Sequence, residues 1–348
     1  MERLIRCRPL TSDPEAVNRA TALVADVVSS AGLYTSEERV GGRRVLYAAT
    51  RETHTPAVLL NVHLDVVPGD PGQFEPVEEA GWLAARGSHD CLGNAALAVQ
   101  ALLRAGPEVD CGAVFSSDEE TGGDTTKRMV EAGYGARRLV LVMDGGGYAL
   151  IIGQKGVLVV TLTASGEACH AAEPWKGRNA IDRLVDGYAR IRELFPSVEP
   201  PDEWRDTLAA TGMKAGTAAN RVPDRAEMTV NIRYTEDTDA EQLLERIADV
   251  SGLAVETGLR CPPVFFEQDT PIFQTLRRCM ESTLDHPVKI TRLNGATDAR
   301  HFVPTGVPVA IIGVPGRDPH GRGEAVSLEG LGTYEEMLVE FLHSVARE

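Results

Sequence analysis

The sequence predicts a two-part α/β protein, in which a mixed layered domain is interrupted by a small α+β domain and then resumes. Three observations point there. Short apolar runs recur early and late in the chain, a helix-favouring segment separates the first two, and a central stretch switches to alternating strands. At 348 residues the chain is long for one domain and comfortable for two.

In chain order, the runs Val58–Val62, Ala113–Phe115, Leu139–Met143 and Val307–Ile312 are rich in Val, Ile and Leu and are followed by Gly, Asp or Pro. Such runs mark strands buried on both faces. Between the first two, Asn94–Arg104 is rich in Ala and Leu and favours a helix opening after Gly93. From Gly156 to Gly166 the residues alternate, with Val157, Val159, Thr161 and Thr163 on one side and Leu158, Val160 and Leu162 on the other. Helical spacing follows over Asn179–Phe195 through Ile181, Leu184, Tyr188, Ile191 and Phe195. Strands are expected around Thr217 and at Ala226–Tyr234, a helix at Ala240–Val250 and a strand at Leu253–Leu259. This strand, helix, strand, strand, helix, strand order is the split βαβ pattern of a small α+β domain. After Pro262-Pro263 come a helix at Pro271–Leu284 and the last buried strand near Val309. The expected organisation is therefore a first domain over 1–155 and 265–348 and an insert over 156–264.

Composition narrows the function. Hydrophobic residues make up 43% and charged residues 25%, ordinary for a globular chain, which excludes disorder and collagen-like repeats. Asp and Glu total 51 against 35 Lys and Arg, and the formal charge of −16 would repel phosphate backbones and anionic membranes, so neither nucleic acid nor membrane is an expected partner. The scattered cysteines Cys7, Cys91, Cys111, Cys169, Cys261 and Cys279 form no Cys-x-x-Cys pair and read as reduced thiols in a cytoplasmic protein. Met1–Leu10 carries three arginines and no signal-peptide stretch, and no apolar run is long enough to span a bilayer.

The chemistry is concentrated at the ends of the buried runs. Val58–Val62 ends at His63, followed by Asp65. Ala113–Phe115 leads to Asp118-Glu119-Glu120, Leu139–Met143 ends at Asp144, and the last run precedes His320 on a Gly- and Pro-rich loop. In open α/β sheets, ligands gather at the carboxyl ends of strands, so these residues can converge on one crevice. Taken singly, each has a plainer reading: His63 as a hydrogen-bonded structural residue, Asp144 as turn chemistry, Glu119-Glu120 as an acidic helix start. Their joint occurrence with Asp90 favours convergence.

Asn61-Val62-His63-Leu64-Asp65-Val66-Val67-Pro68 resembles the first metal motif of the co-catalytic zinc amidohydrolases that include aminoacylase, carboxypeptidase G, acetylornithine deacetylase and succinyl-diaminopimelate desuccinylase. Arg86-Gly87-Ser88-His89-Asp90-Cys91-Leu92-Gly93 is similar to the second motif, Asp118–Gly123 to the third, and Asn294–Arg300 with the following loop to the last, in the right order along the chain. The resemblance implies a mixed-sheet, zinc-aminopeptidase-like catalytic domain with an inserted ferredoxin-like lid through which two copies pair. It implies two divalent cations per chain, zinc first with cobalt or manganese as alternatives. Asp90 would bridge them, His63 and Asp144 completing one site and Glu120 and His320 the other. Mixed His and carboxylate donors suit catalytic zinc rather than a closed thiolate site. Glu119 would be the general base for water activated on the metals, and Asp65 would hold the His63 imidazole in its metal-binding tautomer. Cys91 would point away from the metals.

In the insert, Gly166–Ala172 followed by Gly177-Arg178-Asn179-Ala180 resembles the family's lid signature, which implies that His170 reaches the partner subunit's active site to stabilise an oxyanion. Asn220, Arg233 and Gly295 match substrate-binding positions, although Asn220 also suits an ordinary turn and Arg233 a surface strand. Two departures concern the border of the site: Leu92 stands where most relatives carry Lys, and His89 where a small or acidic residue is common. Arg317 and Arg322 are further candidates for an anionic group. The expected activity is hydrolysis of an amide in a small N-acyl amino acid, with a dipeptidase, a carboxypeptidase or a carrier-linked amino acid hydrolase as alternatives. A thiol hydrolase built on Cys169 and His170 is disfavoured, because neighbours on a strand point to opposite faces. A metal-retaining binding protein would not need Glu119.

Overall fold

The computed structural model describes residues 1–199 and 203–348. These form two compact units, one of Met1–Gly153, Phe265–Leu293 and Thr297–Glu348, the other of Gln154–Val264 with Asn294–Ala296.

The first unit is built on a mixed sheet. Four of its strands are the four apolar runs, here Cys111–Ser116, Val58–His63, Leu139–Val142 and Val309–Ile311, lying side by side and parallel in that order. All are buried along their whole length, as expected of strands covered on both faces. Parallel alignment sends their carboxyl ends to the same edge, so His63 and the segments leading to Glu119, Asp144 and His320 leave the sheet together. The Tyr34–Val40 and Arg43–Ala49 hairpin extends the sheet antiparallel beyond Cys111–Ser116.

The Gly93–Ala105, Pro271–Leu284 and Leu328–Arg347 helices pack their apolar faces into the core with Leu60, Val62, Phe115, Leu141 and Ile312. Each fully buried Leu, Ile or Phe contributes about 1.5–3 kcal/mol. Three helix starts are capped by the side chains of Asp13, Thr270 and Ser327, each accepting a backbone N–H from the first turn. A small antiparallel sheet of Val77–Glu79, Trp82–Ala84, Ala325–Ser327 and Gly316–Arg317 binds the chain before Asp90 to the chain after His320, with Ala84 opposite Ala325.

The second unit has four antiparallel strands ordered Thr207–Ala215, Arg225–Tyr234, Gly156–Ser165 and Ala254–Cys261. The Ala180–Arg192 and Ala240–Ser251 helices pack on its apolar face, where Leu158, Val160, Leu162, Val230 and Ile232 meet Leu184, Ile191 and Ile247. Along Arg225–Tyr234, buried and half-buried residues alternate, as the period of two requires. The strand expected around Thr217 lies earlier. It ends at Ala215, because Gly216 takes φ +72° and turns the chain out of the sheet.

Candidate active site

His63, the last residue of its strand, is 1% exposed and sits among carboxylates. Its Nε2 lies 3.1 Å from Asp90 Oδ1 and 3.8 Å from Asp144 Oδ1. The other Asp90 oxygen, Oδ2, lies 3.2 Å from His320 Nε2, which is also 3.2 Å from Glu120. One carboxylate thus faces two imidazoles with different oxygens, and the two sides carry Asp144 and Glu120 respectively.

His63 Nδ1 donates to the Asp65 backbone oxygen at 2.9 Å, nearer than the Asp65 carboxylate at 3.5 Å. The ring is therefore oriented mainly by the Asp65 carbonyl. The Asp65 carboxylate also accepts from Thr11 Oγ1 at 2.8 Å and from the backbone N–H of Glu119 and Glu120 at 3.1 and 3.4 Å. Burial opposes ionisation of Asp65, but hydrogen bonds from His63, Thr11 and Glu119 outweigh it and keep its pKa below the usual carboxylate value.

The Asp90 segment runs through a sharp non-helical turn, with Asp90 at φ −118°, ψ 89° and Cys91 at φ −135°, ψ 18°. Gly93 is required behind it, since a Cβ there would collide with the Ser88 carbonyl oxygen. Glu324, which the sequence reading missed, anchors the turn. Its carboxylate accepts from Arg86 Nη1 at 2.5 Å and from the backbone N–H of Gly87, His89 and Asp90 at 3.0, 3.2 and 3.1 Å. Arg86 also donates to the carbonyls of His320 and Gly321, so one ion pair ties the Asp90 and His320 loops together. The only sequence signal was a Glu four residues after His320.

The electrostatics are those of carboxylates crowded around two imidazoles. Burial and the charges of Asp90 and Glu120 push Asp144 up to about 7, against the pull of His63. Burial and the charge of Asp144 raise Glu119 well above its ordinary value. His320 is raised to about 10 by its hydrogen bonds to Asp90 and Glu120. Burial resists an imidazolium at His63, but Cys91 and its carboxylate neighbours outweigh it. Besides burial, repulsion among the carboxylates of this group lifts Asp144 and Glu119, and positive charge between them would relieve that repulsion. Two His and three carboxylates are a donor set that divalent cations fit, and two overlapping groups converge, His63 with Asp90 and Glu120, and His63 with Asp144 and Cys91.

That second group corrects the expectation for Cys91. Its sulfur does not point away: it lies within 4.8 Å of the His63 and Asp144 donor atoms.

Glu119 is 10% exposed, with Oε1 3.9 Å from Arg300 Nη1, whose guanidinium donates to the carbonyls of Thr297 and Gly122. Asp298 accepts from Ser116 and Thr126 and fastens the last motif to the Glu120 turn. The side chains of the remaining candidates have other partners. Arg317 stacks over Trp82, and Arg322 is 90% exposed beside Asp70. Leu92 is fully buried, and His89 packs against Gly146 and Gly316.

In the second unit, exposed His170 pairs opposite Arg221, and Ala171 N–H donates to the Asn220 carbonyl, so His170 and Asn220 are close neighbours. His170 Nδ1 accepts from Ala172 N–H, while Cys169 Sγ donates to the Glu173 carbonyl, so the two side chains have separate partners. Arg233 lies on Arg225–Tyr234 and donates to Asn231 Oδ1. Gly295 belongs to the Asn294–Ala296 segment of this unit.

The model of peptidase family M20/M25/M40 matches residues 59–344, which carry all of these motifs. The chain belongs to this family of metal-dependent hydrolases. It is 31% identical to a succinyl-diaminopimelate desuccinylase of Paracoccus denitrificans over 93% of this chain and 91% of that protein. A probable carboxypeptidase of Aspergillus fumigatus is 30% identical over 58% of this chain, which spans about half of that relative's length (52%). The fold matches an M20 family metallo-carboxypeptidase from Sulfolobus solfataricus with a TM-score of 0.84 at 16% identity, over 100% of this chain and 98% of that one. Among the described residues, no helix is long and apolar enough to cross a membrane.

Proposed function

We propose that this protein hydrolyses the amide bond of a small N-acyl amino acid, using two divalent cations shared across Asp90. The observation that carries this reading is the placement of His63 and His320 against opposite oxygens of that carboxylate, at 3.1 and 3.2 Å. His63 and Asp144 would hold one cation, Glu120 and His320 the other. Zinc suits the donors, with cobalt or manganese as alternatives. When bound, such cations polarise the scissile carbonyl and make a water nucleophilic near neutral pH.

The chain's own groups do the rest. Glu119, lifted in pKa by burial and by Asp144, takes a proton from the attacking water and returns it to the leaving amine nitrogen. Asp65 keeps the His63 proton on Nδ1 and holds the Glu119-Glu120 backbone in place. His170 would stabilise the oxyanion in a partner copy, and Asn220, Arg233 and Gly295 would bind substrate. The second unit is read as the lid of a homodimer and residues 156–264 as the insert that forms it, which light scattering tests directly. The six free cysteines suit a cytoplasmic setting.

Deacylation is preferred because the desuccinylase likeness runs the length of the chain. A carboxypeptidase or dipeptidase is the second reading, favoured by the carboxypeptidase relatives. Screening zinc- and cobalt-loaded protein against N-acyl amino acids and dipeptides separates the two. Glu119→Gln should keep its metal and lose about 10²–10⁴-fold in kcat. Full activity in that variant would refute the base, and absence of turnover across both substrate panels would refute the reaction.

A further inference from the structure

Cys91 occupies a position that the proposed reaction does not use. Its side chain is fully buried, and its Sγ donates to the Met143 carbonyl at 3.0 Å, on the residue immediately before Asp144. The thiol is thereby held on the His63 and Asp144 side of the centre, with the three donor atoms within 4.8 Å of one another. His63 Nε2 stands 3.1 and 3.8 Å from the nearest oxygens of Asp90 and Asp144. Donors on a common tetrahedral zinc, at bond lengths of about 2.0–2.3 Å, are separated by roughly 3.3–3.7 Å, so donors already within 4.8 Å of one another need to close by at most about 1.5 Å to share an ion.

We propose that Cys91 is a direct ligand of the cation on the His63 and Asp144 side, giving one half of the centre a sulfur donor while the Glu120 and His320 half has only nitrogen and oxygen. This rests on the metal-binding reading above. On ligation the S–H bond, and with it the hydrogen bond to the Met143 carbonyl, is exchanged for a metal–sulfur bond and the proton leaves to solvent, with no change of oxidation state. Asp90, Glu120, Asp144 and a Cys91 thiolate then carry four negative charges, matching two divalent cations without any added anion. The two halves also differ in softness. A thiolate favours zinc, cobalt and cadmium over manganese and magnesium, whereas the oxygen-rich half discriminates less.

The test is anaerobic reconstitution of the full chain with cobalt(II), followed by absorption spectroscopy and metal analysis. Wild type should show a near-ultraviolet thiolate-to-cobalt charge-transfer band, which Cys91→Ser and Cys91→Ala lose and Cys169→Ser keeps. Both Cys91 variants should retain cobalt through the remaining ligands, with zinc affinity of that half reduced by more than the roughly 10–100-fold typical of residues that only orient a ligand and manganese affinity little changed. Cobalt-loaded wild type lacking the band would overturn sulfur ligation while leaving the binuclear reading standing. A band unchanged in Cys91→Ala would do the same. A wild-type chain that binds no cobalt or zinc would overturn both.

Discussion

Glu324→Ala should damage the site without touching a proposed ligand or the general base. Glu324 and Arg86 have side-chain exposures of 1% and 3%, and their ion pair is joined by three backbone N–H donors from Gly87, His89 and Asp90. Removing one partner of such a buried pair costs about 3–5 kcal/mol, because the remaining charge is left without compensation. Each orphaned N–H adds up to about 1–3 kcal/mol, but the turn can relax toward water, so the sum is not additive and about 3 kcal/mol is the working floor. If that cost falls on local opening, amide exchange in a peptide spanning 86–92 should accelerate at least about 100-fold. Mass-spectrometric hydrogen exchange on the metal-free full chain reads this directly. Metal affinity should weaken about 10–100-fold, as for other residues that hold a ligand in place. Glu324→Gln, which keeps an acceptor but no charge, should fall between wild type and Ala. Unchanged exchange across 86–92 together with unchanged metal affinity in Glu324→Ala would refute the reasoning.

Asp90→Ala should lose both cations together on metal analysis, whereas tight retention of one full equivalent would argue against sharing. Thr11→Val removes the hydroxyl that donates to Asp65 at 2.8 Å, a charge-assisted bond worth about 1.5–3 kcal/mol; thermal unfolding should register the loss, and an unchanged melting temperature would contradict it. Because the cations bind the native chain, a chelator should lower Tm, with a stabilisation of about 2.7 kcal/mol at a hundredfold excess of free metal over Kd. Calorimetry with and without chelator checks this.

The four parallel strands were legible because strands buried on both faces must be apolar throughout, and their final residues mark one edge of the sheet. The Tyr34–Ala49 hairpin was not, since its first strand, Tyr-Thr-Ser-Glu-Glu-Arg-Val, is a half-exposed edge with no apolar period. The long Pro14–Ser30 and Leu328–Arg347 helices also escaped, although Asp13-Pro14 and Ser327 are ordinary start signals. In the site, the gathering of His63, Asp90, Glu120, Asp144 and His320 could be anticipated from strand ends and motifs. The direction of Cys91 could not. Alternation predicts side-chain direction only in regular strands, and the backbone at Asp90 and Cys91 belongs to neither a strand nor a helix. Glu324 was hidden for another reason: its partner Arg86 is 238 residues away, and nothing local records the pairing.

That separation also bears on how the molecule is made. Three of the four parallel strands, and every one of the gathered acidic groups, are complete by residue 144, yet the carboxylate that steadies the Asp90 turn and the second imidazole arrive only at 320–324. A ribosome releases the whole intervening unit before it releases them. Nascent chains stalled short of His320 would therefore carry a half-built pocket with an unanchored rim, and tight capture of metal would have to wait for residues 320–324.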